Sequence, residues 1–284
     1  DRTEVSLDQL VAGGASNYLI VGSDSRSGGD PLDPRAANDH QPLADTMMIV
    51  RVDPRTTVAK VLSLPRDLWV TQSGSGKQSR LNSAYSEGPQ HLVDTVRSEL
   101  DIPINHYIEV DFNGFKRLVD AIGGVQACFE YPTRDKHTGL TVASPGCYEL
   151  DGLQGLQYTR SRHYEEFKDG KWHEDGRGDL ARIDRQQKFI IAAVNKAVGR
   201  LGENPFVIDD LLAAAQESVT VDPGLDLISV AKRFGDLVGQ NLYTLQLPVD
   251  NKNIDGNAVL VLKDEQAQPI LDYFRGVPTT LPST

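Results

Sequence analysis

The sequence predicts an α/β fold, a mixed β-sheet with helices on both of its faces. Short β-rich runs alternate with amphipathic helical periods from about residue 17 to residue 274. With 284 residues, of which 39% are hydrophobic and 24% charged, the chain can bury the core that such a sheet requires. Neither an internal repeat nor a long linker interrupts it. One domain over residues 17–276 is therefore expected, after a lead-in at 1–16 and before a flexible tail at 277–284.

The elements follow in order. Asn17 to Gly22 is a short apolar run that opens into a Gly/Ser/Asp loop, as a buried strand with a functional loop at its end does. Thr46 to Val52 and Thr57 to Leu64 are β-rich and flank Asp53-Pro54-Arg55-Thr56, which predicts a hairpin. Leu92, Val93, Val96 and Leu100 recur at helical spacing and predict a helix over Pro89 to Leu100. His106 to Val110 reads as a strand. Phe112, Phe115, Leu118, Val119 and Ile122 then form the apolar face of a helix that Gly123-Gly124 ends. Val125 to Glu130 is a further strand, followed by an irregular segment between two cysteines.

Leu150-Asp151-Gly152-Leu153 leads into a short helix carrying Arg160 and Arg162. His163 to Gly178 is charged, aromatic and without a period, so a mobile surface loop is expected there. The longest helix runs over about Asp179 to Val198 on a stripe of Ile183, Ile190, Ile191, Val194 and Val198. Arg182, Arg185 and Gln186 share one face beside that stripe. Amphipathic helices near Phe206 to Glu217 and Leu225 to Val238, strands near Leu242 to Leu247 and Ala258 to Leu262, and a helix near Glu265 to Phe274 complete the pattern.

Charge narrows the function. The formal net charge of −11 argues against a nucleic-acid partner, which needs a broad basic face. Yet arginines gather in Ser63-Leu64-Pro65-Arg66-Asp67, Ser79-Arg80-Leu81-Asn82, Arg160-Ser161-Arg162-His163 and Arg182-Ile183-Asp184-Arg185-Gln186-Gln187. Guanidinium groups bind phosphate in bidentate geometry and stay charged when desolvated. Gly22-Ser23-Asp24-Ser25-Arg26 and Ala44-Asp45-Thr46-Met47 add carboxylates able to hold a divalent cation. Taken singly, each has a plainer reading: a turn cap for Asp24 and Asp45, ion pairs for Arg26 and Arg80, a solvated helix face for Arg182, Arg185 and Gln186. Cys128 and Cys147 are either a bridge, which implies an oxidising compartment, or two buried thiols, and both readings stand.

Taken together, in this order, the blocks Gly-Ser-Asp-Ser-Arg, Ala-Asp-Thr-Met, Ser-Leu-Pro-Arg-Asp, Arg-Leu-Asn-Ser-Ala-Tyr, Tyr-Thr-Arg-Ser-Arg-His and Arg-Ile-Asp-Arg-Gln-Gln resemble the LytR-CpsA-Psr family over about Asn17 to Phe274. The resemblance implies a three-layer α-β-α domain with an apolar pocket for a polyprenyl tail. It implies an extracytoplasmic phosphotransferase, tethered by an N-terminal membrane anchor, that moves a glycopolymer from a polyprenyl-pyrophosphate carrier onto peptidoglycan with Mg2+ or Mn2+. Arabinogalactan is the favoured polymer, with teichoic acid and capsule as alternatives. Pyrophosphate hydrolysis and non-catalytic binding of polyprenyl lipid or wall glycan are the rival readings.

By the same resemblance, Asp24 and Asp45 fall at the metal positions. Arg66, Arg160 and Arg162 fall at catalytic positions, and Asp67 is a candidate general base. Arg26, Arg66, Arg80, Arg160, Arg162, Arg182 and Gln186 would bind the pyrophosphate. Two departures are visible. Many members carry an arginine just before the second metal aspartate, where this chain has Leu43-Ala44. The segment His163 to Gly178 is longer and more acidic than in compact relatives, which suggests an added lid or acceptor loop.

Overall fold

The computed structural model describes residues 2–11, 13–24, 43–56, 58–203, 213, 219–226 and 242–281. In chain order the strands and helices are β1 (Ser16–Ser23), β2 (Ala44–Val52), β3 (Ala59–Leu64), β4 (Trp69–Thr71), β5 (Gln78–Arg80), α1 (Leu81–Ala84), α2 (Pro89–Leu100), β6 (His106–Val110), α3 (Phe112–Ala121), β7 (Val125–Phe129), β8 (Thr133–Asp135), β9 (Leu140–Val142), β10 (Gly146–Leu150), α4 (Gly152–Arg160), β11 (Glu165–Lys168), β12 (Lys171–Glu174), α5 (Asp179–Glu203), β13 (Val219–Val221), β14 (Leu242–Gln246), β15 (Val249–Ile254), β16 (Asn257–Leu262) and α6 (Asp264–Arg275). Apart from residues 213, 225 and 226, the helices expected near Phe206 to Glu217 and Leu225 to Val238 lie outside the described residues, as does Arg26. The chain divides into two compact units. One comprises Asp1–Phe112 with Val219–Thr284, the other Asn113–Ser218.

The first unit is built on a six-stranded mixed sheet of order β13-β6-β1-β2-β3-β14. β1 lies parallel to β6 and antiparallel to β2, and the β2–β3 hairpin pairs Val52 with Ala59. The apolar run of β1 is explained by its central place in this sheet: Leu19 and Val21 are fully buried. α2 runs over the residues its pattern predicts. Pro89 occupies its first turn, where a missing N–H costs nothing, and Asp101 closes it in a left-handed conformation. Its stripe of Leu92, Val93, Val96 and Leu100 joins the core formed by Leu19, Ile49, Leu62 and Phe274. Burial of each such side chain contributes about 1.5–3 kcal/mol.

The second unit contains the β7–β10 pair and a four-stranded sheet of order β12-β11-β8-β9. α3, α4 and α5 also belong to it. Its core gathers Val119, Val125, Phe129, Leu140, Tyr158 and Phe189. α4 begins at a capping box in which Asp151 and Gln154 satisfy each other's backbone N–H groups. Gly155 lets α4 approach α5: a Cβ there would lie 2.6 Å from Phe189 Cζ. Cys128 and Cys147, directly opposed across β7 and β10, are bridged.

Two expectations are corrected here. The segment between the cysteines, read as irregular, holds β8, β9 and the start of β10; strands of three residues are too short to display a two-residue period. The segment 163–178, read as a mobile loop, is mostly a β-hairpin. β11 pairs with β12 across Asp169-Gly170, both in positive-φ conformations that suit a tight hairpin turn. Phe167 faces Trp172 across the strands at 5.3 Å, and the Arg134 guanidinium lies 3.9 Å over the Trp172 ring.

Candidate functional site

Each unit holds one cluster of the residues singled out by the sequence. In the first unit, Asp24 follows directly on β1. Its N–H donates to the Leu43 carbonyl at 3.0 Å, and its Oδ1 accepts the Leu43 N–H at 2.7 Å. The carboxylate thereby ties the end of β1 to the start of β2. Register along this pair slips at the same place: Gly22 faces Thr46, whereas Ser23 faces Ala44, so Asp45 is the extra residue of a bulge. Bulges re-aim side chains at strand ends, and this one sets Asp45 apart from the regular alternation.

Asp45 Oδ1 accepts from Arg66 Nη1 at 2.9 Å. Arg66 stands in the turn after β3, where its carbonyl accepts the Asn82 N–H at 3.0 Å. Arg66 Nε is 3.3 Å from Asp67 Oδ2, and Arg80 Nε is 3.4 Å from Asp67 Oδ1. Asp45, Arg66, Asp67 and Arg80 thus form a row of alternating charge. Both oxygens of Asp67 face guanidinium groups, which makes it an anchor for Arg66 and Arg80. Arg80 also donates from Nη2 to the Ala258 carbonyl at 3.1 Å.

The first unit also holds a carboxylate that the sequence does not single out. Glu109 on β6 accepts from Tyr85 Oη, from Tyr107 Oη at 2.8 Å and from Ser23 Oγ at 3.1 Å. Burial, followed by the Glu109 interaction, pushes the Tyr85 phenol well above the ordinary tyrosine range. Glu109 therefore fixes the residue before Asp24 and the tyrosine that closes the Arg-Leu-Asn-Ser-Ala-Tyr block. A lone Glu in a β-rich run carries no signal of this in sequence.

A hard divalent cation is compatible with the donors present. Asp24 and Asp45 sit at the joined ends of adjacent strands, and such ions bind through one or two carboxylates with water and phosphate oxygens completing the set. Among the described residues no group of three or more His, Cys, Asp or Glu gathers as an all-protein metal cage.

In the second unit, Arg160 is the last residue of α4 and Arg162 lies just beyond it. Ser161 between them is fully buried, and Arg182, Arg185, Gln186 and Gln187 on α5 are buried as well. Their burial removes the alternative of a solvated helix face. Arg185 Nη2 donates to the Ser161 carbonyl, its guanidinium lies 4.5 Å over the Tyr164 ring, and burial holds its pKa down. Gln186 Nε2 donates to the Thr159 carbonyl at 3.1 Å. His163 Nδ1 lies 2.7 Å from Glu174 Oε1, with both side chains about half exposed.

The comparisons with known proteins agree with the order of the motifs. A family model described as the LytR_cpsA_psr family matches residues 1–274. The cell wall biosynthesis protein LcpA of Corynebacterium glutamicum is 31% identical over 285 residues, which cover 88% of this chain and 52% of LcpA. The polyisoprenyl-teichoic acid–peptidoglycan teichoic acid transferase TagU of Bacillus cereus is 30% identical over 263 residues, covering 91% of this chain and 78% of TagU. The chain therefore spans about half the length of LcpA. Among solved structures, a LytR-Csp2A-Psr enzyme from Actinomyces oris shares the fold, with a TM-score of 0.78 at 24% identity over 96% of this chain and 94% of its own. Six ordered motifs, a family match over nearly the whole chain and a shared fold have one reading: the chain belongs to the LytR-CpsA-Psr family.

Proposed function

We propose that the chain is a phosphotransferase that moves a glycopolymer from a polyprenyl-pyrophosphate carrier to a hydroxyl of peptidoglycan. The observation that carries the reading is the Asp45–Arg66–Asp67–Arg80 row, which presents oriented guanidinium groups beside carboxylates suited to a divalent cation. The names of the relatives support it, since TagU is a transferase of polyisoprenyl-linked teichoic acid to peptidoglycan.

In this reading the acceptor hydroxyl oxygen attacks the phosphorus that bears the glycopolymer. A new P–O bond forms, the bond from that phosphorus to the bridging oxygen breaks, and polyprenyl phosphate leaves. The hydroxyl proton passes to water or to a base. Arg66 and Arg80 neutralise charge on phosphate oxygens, with Asp67 holding their orientation. A base role for Asp67 would require it to release one of these guanidinium groups. Arg160, Arg162 and Arg182 serve the same kind of charge neutralisation, and Gln186 orients the segment before Arg160 through the Thr159 carbonyl. Asp24 and Asp45 would hold Mg2+ or Mn2+, which supplies further stabilisation of phosphate charge when bound. Positioning and electrostatics carry most of the acceleration in such reactions.

The polymer favoured is arabinogalactan, with teichoic acid and capsule as the alternatives, and the setting is the outer face of the cytoplasmic membrane. Among the described residues no helix is long and apolar enough to cross a membrane. The test supplies a polyprenyl-pyrophosphate-linked glycan with and without acceptor peptidoglycan. Polyprenyl phosphate release that depends on acceptor, with label appearing in the peptidoglycan, is the expected result. Release without acceptor would make the protein a pyrophosphate hydrolase, and binding without release would make it a lipid-binding protein.

A further inference from the structure

Asp135, at the end of β8, is fully buried and accepts four hydrogen bonds. Its two oxygens serve different segments. Oδ1 accepts the N–H groups of His137 at 2.8 Å and Thr138 at 3.2 Å, closing its own turn. Oδ2 accepts from Ser161 Oγ at 2.6 Å and from the His163 N–H at 3.1 Å, and so reaches 26 and 28 residues along the chain. Those two donors lie on either side of Arg162, and Ser161 is the residue that separates Arg160 from Arg162.

The same short segment is held from α5. Arg185 takes the Ser161 carbonyl and Gln186 takes the Thr159 carbonyl. The backbone that carries both arginines is therefore clamped on its carbonyl side by α5 and on its hydroxyl and N–H side by Asp135. Long cationic side chains lose much rotamer freedom when they bind an anion, and a rigid root limits the further cost of aligning two of them. Burial works to raise the Asp135 carboxyl, but the hydrogen bonds from Ser161, His137, Thr138 and His163 outweigh it and hold the group below the ordinary aspartate range. A charged, fully satisfied carboxylate at zero exposure is a costly feature for a surface turn alone.

We propose that Asp135 is a positioning residue of the phosphotransferase, which fixes the Arg160-Ser161-Arg162 segment through Oδ2 so that both guanidinium groups meet phosphate oxygens. This rests on the proposed function, because it assigns those arginines a phosphate ligand. Asp135 touches no reacting atom in this role and acts through the two arginines. Arg185 belongs to the same device from the opposite side.

The test compares wild type with Asp135→Asn and Ser161→Ala by hydrogen exchange and by calorimetric titration with geranylgeranyl pyrophosphate and Mg2+. Asn at 135 keeps an oxygen for one pair of donors but turns an NH2 group toward the other. Ser161→Ala removes a single bond and decides the matter if the Asn variant does not fold. The expected result is exchange at residues 161–163 faster by about tenfold or more, as loss of a charged hydrogen bond implies, with the β7–β10 strands unchanged. Pyrophosphate affinity should fall by about tenfold in Asp135→Asn and in the same direction in Ser161→Ala. Unchanged exchange at 161–163, or faster exchange spread evenly over residues 113–203, would overturn the inference. Locally faster exchange with unaltered affinity would separate the clamp from ligand binding and also overturn it. If wild type itself binds no prenyl pyrophosphate, the proposed function fails, and with it the role of Asp135 in transfer.

Discussion

Arg66 donates to Asp45 at 2.9 Å across the bulge that sets Asp45 out of register in β2. The pair joins an arginine proposed for phosphate binding to an aspartate proposed for metal binding, so neither can change without the other responding. Asp45→Asn and Arg66→Gln are expected to be non-additive in kcat/KM, with a coupling of about 1 kcal/mol or more, as residues in one charged network usually are. A double-mutant cycle measures it. Strict additivity would mean that the two act independently.

Asp24 can be tested for metal binding apart from its structural bond to Leu43. Asp24→Asn retains an oxygen for the Leu43 N–H while removing the charge, whereas Asp24→Ala removes both. Both variants are expected to bind Mn2+ more weakly than wild type by calorimetry. Unaltered binding in both would take Asp24 out of the metal site.

Acid should destabilise the first unit through Asp222. This buried carboxylate accepts from the Tyr107 N–H at 3.1 Å and the Gly224 N–H at 3.0 Å, and lies 3.2 Å from His106 Nδ1. Burial works against its charge, yet these partners prevail and its pKa lies below the ordinary 3.8. The stabilisation is complete above that ordinary value and disappears as pH falls through the lower folded value, because the unfolded chain then binds more protons. Thermal unfolding followed from about pH 6 to about pH 3 should show a steeper fall for wild type than for Asp222→Asn. Parallel curves would remove Asp222 as a source of the acid dependence.

The bridge between Cys128 and Cys147 closes a loop with a sequence separation of 19. The chain-entropy relation gives a contribution of about 3 kcal/mol for such a loop. Urea unfolding of the double Cys→Ala variant should show a loss of this order in the second unit. No loss would mean that β7 and β10 hold their pairing without the bridge.

Much of this was legible in the sequence where local rules and tertiary packing agree. Helix α2 has its proline, its stripe and its stop in the expected places, and the β2–β3 hairpin follows its turn. The motif order singles out Asp24, Asp45, Arg66 and the Arg160-Ser161-Arg162 segment as candidates, and Asp45 and Arg66 are paired in the structure. What stayed hidden depends on contacts distant in sequence. Asp135 and Glu109 look like ordinary acidic residues until Ser161 and Ser23 are brought to them. The β11–β12 hairpin was missed for another reason: its Asp169-Gly170 signal was present, but the charged strands obscured the two-residue period. Arg185 is buried although its helical position allowed a solvated face, because Tyr164 and the Ser161 carbonyl cover it.

The central claim is that these arginines act on a lipid-linked pyrophosphate. The most direct measurement is kcat/KM of Arg66→Ala and Arg162→Ala with a polyprenyl-pyrophosphate-linked glycan and peptidoglycan acceptor, alongside circular dichroism to establish folding. A loss of roughly 10³-fold in each is expected, in the range found for arginine contacts at transferring phosphoryl groups. Full activity in both folded variants would contradict the claim.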